Sequence, residues 1–599
     1  MIVGVVAPDD GRAARIVDRI ANGLAANTLS CSIRRGVAIA RWSGPVSAVP
    51  SVFGGEYAYV GTVVGDLPRR GAELRGDFAL VARTERGLRL ARGRFAGRPL
   101  FWLRVGAATI ASSRLLPLAI LSRTDAQLNL DHLFALFDPQ LLLLGRPLPF
   151  LGFKRVRANT VVEVDGDGGI RTQSGPLRWG PELQLSGPEL ASAVREQFRR
   201  AVVRQCAGAR RVAVMTGGGV DSGNLLAVTV DNARRNGSAD AIPLAFDFGG
   251  AGDDRPHLQA LCRHLSVEPI RIAPAEGAPH GWRDRVIDGS AHAIGPATTM
   301  FAATDRARIA GVERILEGGG SELLFDADAA VFGDFLLSHP IRAVACLGRF
   351  KTIRETRPQM WRRMVGGPLL RQLLPASALD VRLRWAQRNR EKARRHELPW
   401  AGPRLRSFLA ERRTYPGRAP ILTQRERVET LASSELLMAM REHASRWELG
   451  CGLPISFPYL DDEFVQFVGR VSSADVFVGA RERGLLRESM EGLVPDSVRY
   501  RMDKARPDDA FIELFAAMGG AGSMSDLVSM RELGKLGIVE AKAFGAAFDR
   551  FAARPQDRPA DWNALWGAIT AEAYVRWFSG FKAGDAWGSA LADAPEVPK

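Results

Sequence analysis

Cysteine is scarce: five in 599 residues, at positions 31, 206, 262, 346 and 451. An odd number spread this widely has neither the spacing of a zinc site nor that of a disulfide framework. No uninterrupted apolar run reaches the roughly 20 residues that a bilayer-spanning helix needs, so no membrane span is expected. A basic-then-apolar leader is missing as well, because Met1 to Ala7 is apolar but Asp9, Asp10 and Arg12 follow at once. These absences together predict a cytoplasmic protein. The chain also lacks a strong low-complexity tract and an internal repeat.

What is present reads as globular. The length implies two or more domains with large cores, and 46% apolar with 25% charged residues is ordinary for such a chain. The net charge of +15 points to an acidic partner. Nearly all of that excess sits between Arg342 and Arg413, with 19 Lys and Arg against 5 Asp and Glu. This stretch carries Trp361, Trp385 and Trp400 and no strand-like run, so it reads as helices with solvated faces. A dock for an acidic peptide segment is the functional alternative. Nucleic acid is not expected, since no recognised binding motif accompanies the charge.

The most informative stretch is Arg211 to Leu226, RVAVMTGGGVDSGNLL. Val212 to Met215 is a short apolar run of the kind buried in a parallel sheet. It breaks into Thr216, Gly217, Gly218 and Gly219, and a helix-like segment begins near Asp221 and Ser222. A strand feeding a glycine-rich turn that opens a helix is an anion site, because backbone N–H groups and the helix N-terminus both favour phosphate. No Gly-Lys-Ser/Thr follows, which excludes the Walker pattern, and the dinucleotide fingerprint is absent too. By itself the stretch is also compatible with an ordinary strand–helix turn.

Three further features follow in order. Residues 1 to about 180 are β-rich, with short apolar runs at Val3–Ala7, Val37–Ala40, Ala58–Val64, Phe78–Ala82 and Leu88–Ala91 and one amphipathic segment near Arg12 to Leu24. Pro181 to Pro188 reads as a linker. Beyond Glu189, strand and helix patterns alternate, with strands expected at Ala241–Phe248, Val267–Ile272 and Arg314–Leu316. That alternation argues for a parallel sheet with ligands at its carboxyl edge. The last of these strands runs into a second glycine-rich loop, Glu317 to Phe325, EGGGSELLF.

The two loops, with Gly452–Val465 (GLPISFPYLDDEFV), Arg483 to Arg487 (RGLLR) and Arg499 to Arg506 (RYRMDKAR), resemble the asparagine synthetase family, in order and over nearly the whole chain. The β-rich part, from Gly76-Asp77-Phe78 through Gly97-Arg98-Pro99 to Trp179, is similar to the family's class II glutamine amidotransferase domain. The resemblance implies an α/β protein. Residues 1–180 would form an αββα sandwich, and residues 189–599 an ATP-pyrophosphatase domain with a parallel sheet and helical insertions. It also implies that ATP and Mg2+ are used. Val214, Thr216, Gly217, Gly218, Gly219, Asp221, Ser222, Phe246, Glu317, Gly318 and Arg483 would bind the nucleotide, Asp221 and Glu322 the metal, and Lys504 would be catalytic. Departures are specific: Gly217 replaces the loop's first serine, Leu323 a glutamate, and Ser456 an arginine. Ile2 stands where the glutaminase nucleophile would be a cysteine.

The implied chemistry activates a carboxylate as an acyl-adenylate, which an amine then attacks. Without a glutaminase cysteine the amine is expected to come with the substrate. Two branches of the family fit, β-lactam synthetases and the macrolactam synthetases that close lasso peptides. The β-lactam branch usually has a tyrosine where this chain has Gly319, which is expected to widen the pocket for a bulkier substrate. A lasso-peptide cyclase is therefore expected, with a precursor peptide as substrate and a leader-binding protein and leader protease as pathway partners. A small-molecule amide or ammonia-dependent asparagine synthetase is the alternative with the same chemistry. An inactive peptide-binding scaffold is the alternative of another class.

Overall fold

A computed structural model describes the chain except residues 25–28, 43–50, 62–73, 96, 124–125, 138–146, 176, 178, 238, 250–252, 281–297, 327, 352–355, 367–397, 412–420, 433, 503–507, 558–560 and 584–599. Up to residue 174 the chain forms strands β1 (Ile2–Val6), β2 (Leu29–Arg34), β3 (Val37–Trp42), β4 (Ser51–Phe53), β5 (Tyr57–Gly61), β6 (Phe78–Arg83), β7 (Gly87–Arg92), β8 (Phe101–Val105), β9 (Ala108–Ser112), β10 (Lys154–Arg155), β11 (Thr160–Asp165) and β12 (Ile170–Ser174). They make two antiparallel sheets, ordered β10-β8-β9-β1-β3-β2 and β12-β11-β7-β6-β5-β4.

Strand β1 shows why the sheets stack. Its period-2 alternation sends Ile2 and Val6 into the core shared by the two sheets, while Val3 and Val5 face the other way. Gly4 lies on the inter-sheet side, where a Cβ would come within 2.4 Å of Val81, so only glycine lets the sheets close at this point. On the opposite face Ala13, Val17 and Ile20 of the helix Asp10–Leu24, spaced as one helical stripe, pack with Leu115 and Leu118 of the helix Leu115–Leu121.

The second half holds a five-stranded parallel sheet of β13 (Arg211–Met215), β14 (Asp240–Phe246), β15 (Ile270–Ile272), β16 (Arg314–Leu316) and β17 (Ile455–Ser456), ordered β15-β14-β13-β16-β17. Both faces are covered, which is why these strands read as continuous apolar runs. Helices Gly187–Cys206 and Val220–Asn236 cover one face. Helices Thr298–Ile309 and Glu435–Cys451 cover the other. The strand order reverses between β13 and β16, so the crevice of a doubly wound sheet opens there. The mixed α/β class expected from the sequence is the one observed.

The two halves are tightly joined. The helix Asp561–Ala583 packs Trp562, Leu565 and Trp566 against Leu133, Phe134 and Leu136, and its Phe578 meets Phe150 at 5.8 Å between ring centroids. Elsewhere the junction is ionic. Arg441 donates to Asp77 at 2.7 Å and to Glu448 at 3.2 Å, and Arg98 donates to Glu448 at 2.5 Å. Arg155 binds Glu442 and Glu435, and the Gly76 N–H donates to the Asp462 carboxylate at 2.9 Å.

The basic stretch 342–413 lies partly outside the described residues, Trp385 and the arginine-rich 367–397 included. Most of its described residues are helical, at Pro340–Arg349, Arg357–Trp361 and Pro403–Glu411. Trp361 is 38% exposed, but Trp400 is 2% exposed and packs edge-on against Phe137 and Phe544. Trp400 is thus a core residue and does not lie on a solvated face of the basic stretch. An apolar ring of that size is worth more in the core than on a charged face. No described helix is long and apolar enough to cross a membrane.

Candidate active site

The loop after β13 lies flat against the start of the helix Arg255–Leu265. A Cβ on Gly217 would come within 2.5 Å of Asp254 Oδ2, and one on Gly218 within 2.5 Å of His257 Cβ and 2.8 Å of Arg501. The two glycines are thus dictated by crowding. The absence of the loop's first serine has the same cause, since the Asp254 carboxylate, held by Arg501, takes the space. Gly219 leaves its surroundings open, and the helix Val220–Asn236 begins after it. Ser222 Oγ accepts from the Gly217 N–H at 3.3 Å, which closes the turn. Thr216 is buried, with its Oγ1 donating to the Val214 carbonyl at 2.9 Å. Val214 itself is fully in the core, so only its backbone borders the site. Phe246 ends β14 and is half-buried against the sheet core.

Asp221 and Glu322, expected to share a metal, are brought together with a third carboxylate, Asp326. Arg483 binds all three. It donates to Asp221 Oδ2, to Glu322 Oε1 at 2.7 Å and to Asp326 Oδ1 at 3.1 Å. Burial alone would lower the pKa of Arg483, but the three carboxylates outweigh it and hold the pKa well above the usual value. Arg483 has φ 56°, a left-handed conformation at the start of the helix Gly484–Ser489, and this turn aims the guanidinium at the sheet edge. Burial raises the Asp221 carboxyl against the opposing pull of Arg483. Its second oxygen, Oδ1, is buried and makes no hydrogen bond of good geometry, although the Ser321 hydroxyl lies close enough to favour the ionised carboxylate.

That buried oxygen beside a carboxylate cluster is the donor set a hard divalent cation takes. Among the described residues no three His, Cys, Asp or Glu side chains form a closed metal cage. The fit is therefore to a magnesium ion whose remaining ligands are phosphate oxygens and water.

Arg487 explains how Arg483 is placed. It is buried and donates to the carbonyls of Glu482 at 2.9 Å, Arg499 at 2.5 Å and Arg501 at 3.0 Å. Burial and the nearby Arg483 lower its pKa to about 10. The Arg483 turn is thereby tied to the segment leading toward Lys504, which lies outside the described residues. Tyr459, stacked on Phe198 at 4.3 Å, donates to the Asp221 carbonyl at 3.0 Å and fixes that end of the helix. Ser456 is buried in β17, and its carbonyl accepts from the Glu317 N–H at 2.9 Å.

In the second loop a Cβ on Gly318 would sit 3.3 Å from the Ser222 nitrogen, so the two loops touch. Gly319 does not leave the open space expected from the loss of a ring. A Cβ there would meet Met440 Sδ at 3.1 Å and the Phe457 ring at 3.2 Å, so these side chains fill the room. Ile2, at the position of the glutaminase nucleophile, is 0% exposed in the inter-sheet core. Sequence reasoning missed Asp254, Asp326 and Arg501 as members of the site. Asp326 is one residue beyond the quoted loop, and Arg501 lies within the quoted RYRMDKAR.

The asparagine synthase family profile matches residues 193–576. The chain is similar to asparagine synthetase [glutamine-hydrolyzing] 3 of Bacillus subtilis (strain 168), 20% identical over 455 residues, or 72% of this chain and 67% of that protein. Among solved structures it matches glutamine phosphoribosylpyrophosphate amidotransferase from B. subtilis, complexed with ADP and GMP. That match is 10% identical and covers 53% of this chain and 81% of that one at TM-score 0.19. The structure of the allosteric regulatory enzyme of purine biosynthesis matches at 10% identity, 53% and 79% coverage and TM-score 0.20.

Proposed function

Because the chain belongs to the asparagine synthase family, whose chemistry is ATP-dependent amide formation, we propose that it closes the macrolactam ring of a lasso peptide. The acid is an Asp or Glu side chain of the peptide, and the amine is the peptide's own N-terminus. The observation that carries this reading is Ile2, an apolar side chain sealed in the sandwich core. With no thiol there to release ammonia from glutamine, the nucleophile arrives with the substrate.

In this reading the N–H groups of residues 217–219 and the N-terminus of the helix Val220–Asn236 hold the phosphates of ATP. Arg483 leaves its carboxylates for the α- and β-phosphates, which its planar fork binds bidentately. Magnesium, held by Asp221 and Glu322, would neutralise charge on the departing pyrophosphate. Lys504 stabilises the oxyanion that forms when the amine attacks. Holding acid and amine in one site makes the second step effectively unimolecular, and excluding water protects the adenylate from hydrolysis.

The reading is tested by exchange of labelled pyrophosphate into ATP, using the leader-free core peptide encoded beside the gene. Peptide-dependent exchange is expected. Exchange with aspartate or another free amino acid, and none with the peptide, would replace the peptide reading with a small-molecule synthetase.

A further inference from the structure

An amide-forming site needs a group to take the proton from the attacking amine, and most carboxylates near the two loops are already engaged. Asp221, Glu322 and Asp326 are bound to Arg483, and Asp254 to Arg501. The Tyr459 hydroxyl is held by the Asp221 carbonyl.

Glu317 is different. It is the residue immediately after β16, in register one step beyond the pairs Val214–Leu316 and Leu316–Ser456. It therefore stands at the carboxyl edge of the sheet on the strand next to the phosphate loop, one residue from the glycine that touches Ser222. Ile315 faces the core under the helix Glu435–Cys451, and the period of the strand puts Glu317 on that same side. No described residue donates a hydrogen bond to its carboxylate. The residue is only half-buried by surface area, yet the protein packed around the carboxyl pushes its pKa up to about 7, with the opposing pull of Arg441 the smaller effect. Arg441 is itself taken up by Asp77 and Glu448.

We propose that Glu317 is the catalytic base that accepts the proton of the attacking amine, rather than a nucleotide contact. The inference rests on the amide-forming reading above. As the amine nitrogen attacks the acyl carbon, the C–N bond forms and the bond to the phosphate oxygen breaks. AMP leaves with that electron pair, and the nitrogen's proton passes to the Glu317 carboxylate and then to water. A carboxylate with a pKa near the working pH suits this transfer.

The test separates the two half-reactions of Glu317→Gln. Pyrophosphate exchange is measured with the core peptide acetylated at its N-terminus, so that activation is seen alone. Ring closure is followed by mass spectrometry with the free peptide. The substitution is expected to keep exchange while slowing closure about 10²- to 10⁴-fold. It should also remove the limb near pH 7, below which wild-type closure falls as the carboxylate protonates. Glu317→Asp should restore part of both rate and limb. Closure at the wild-type rate, or exchange lost in parallel with closure, would overturn the inference while leaving the family chemistry standing. Absence of exchange in the wild type with either peptide would overturn the inference together with the reading beneath it.

Discussion

Arg483 is the cation around which three carboxylates converge, and the balance is delicate because it is 12% exposed while Glu322 is 50% exposed. Removing it leaves a partly buried Asp221 carboxylate without its counter-charge. Arg483→Ala is expected to lower stability by about 1–3 kcal/mol in magnesium-free buffer, the low end reflecting solvent screening at Glu322 and Asp326. Added magnesium should narrow the difference, and urea titrations with and without the ion would show it. Asp221→Asn should reduce pyrophosphate exchange by about 10²-fold or more, because it removes a carboxylate that would hold the magnesium neutralising the phosphates. Asp221, Ser222, Glu322 and Arg483 were singled out in the sequence through the resemblance to the asparagine synthetase family, and the fold brings Asp221, Glu322 and Arg483 into contact. Asp326 and Arg501 were not singled out. Their partners lie 157 and 247 residues away, at contacts that only the folded sheet creates.

At the level of elements, the parallel sheet was readable because buried strands have short apolar runs bounded by glycine. The ends were read less well: the strand expected at Val267–Ile272 begins only at Ile270. The three preceding residues have no ladder partner, and no pattern in the side chains marks that boundary. The Gly319 expectation failed for a related reason, since the ring's space is filled by Met440 from a distant helix and by Phe457, the residue after β17. Gly484 carries the most demanding backbone contact near the site. A Cβ there would press on the Val478 carbonyl at 1.7 Å, and carbonyls do not yield as side chains do. Gly484→Ala is expected to destabilise the protein by about 1–3 kcal/mol and to weaken ATP binding by shifting Arg483. Thermal unfolding and nucleotide titration would register both.

Across the whole molecule the sandwich and the parallel-sheet unit are locked by Arg98, Arg441 and Arg155 against Asp77, Glu448 and Glu442. Deleting Arg98 removes one of the two cations in this dry cluster while Arg441 still binds Asp77 and Glu448, so Arg98→Ala should cost about 1–3 kcal/mol. It should also split a common thermal transition into two. Burial would raise the Asp77 carboxyl, but Arg441 and Arg98 outweigh it and hold the pKa below its ordinary 3.8. That contribution is present above about pH 4 and is lost as pH falls through the depressed value. Asp462 behaves oppositely: burial raises it to about 7, against the Gly76 N–H, so its contribution fades as pH climbs from about 4 through 7. Stability measured against pH should therefore decline on both sides of a maximum in the mildly acidic range. The β-rich character of the first half was foreseen from its short apolar runs and the sandwich from the family resemblance, whereas the helix Asp561–Ala583 that fastens it to the rest could not be, because its partners at residues 133–137 have no sequence signal pointing to it.

The central claim is that an acid and an amine of one peptide are joined here at the expense of ATP. Mass spectrometry of the leader-free core peptide after incubation with the protein, ATP and magnesium tests it most directly. Loss of one water with formation of AMP is predicted, abolished by Lys504→Ala and by Asp221→Ala. Unaltered peptide with no AMP formed would contradict it and leave a scaffold that binds the peptide without acting on it.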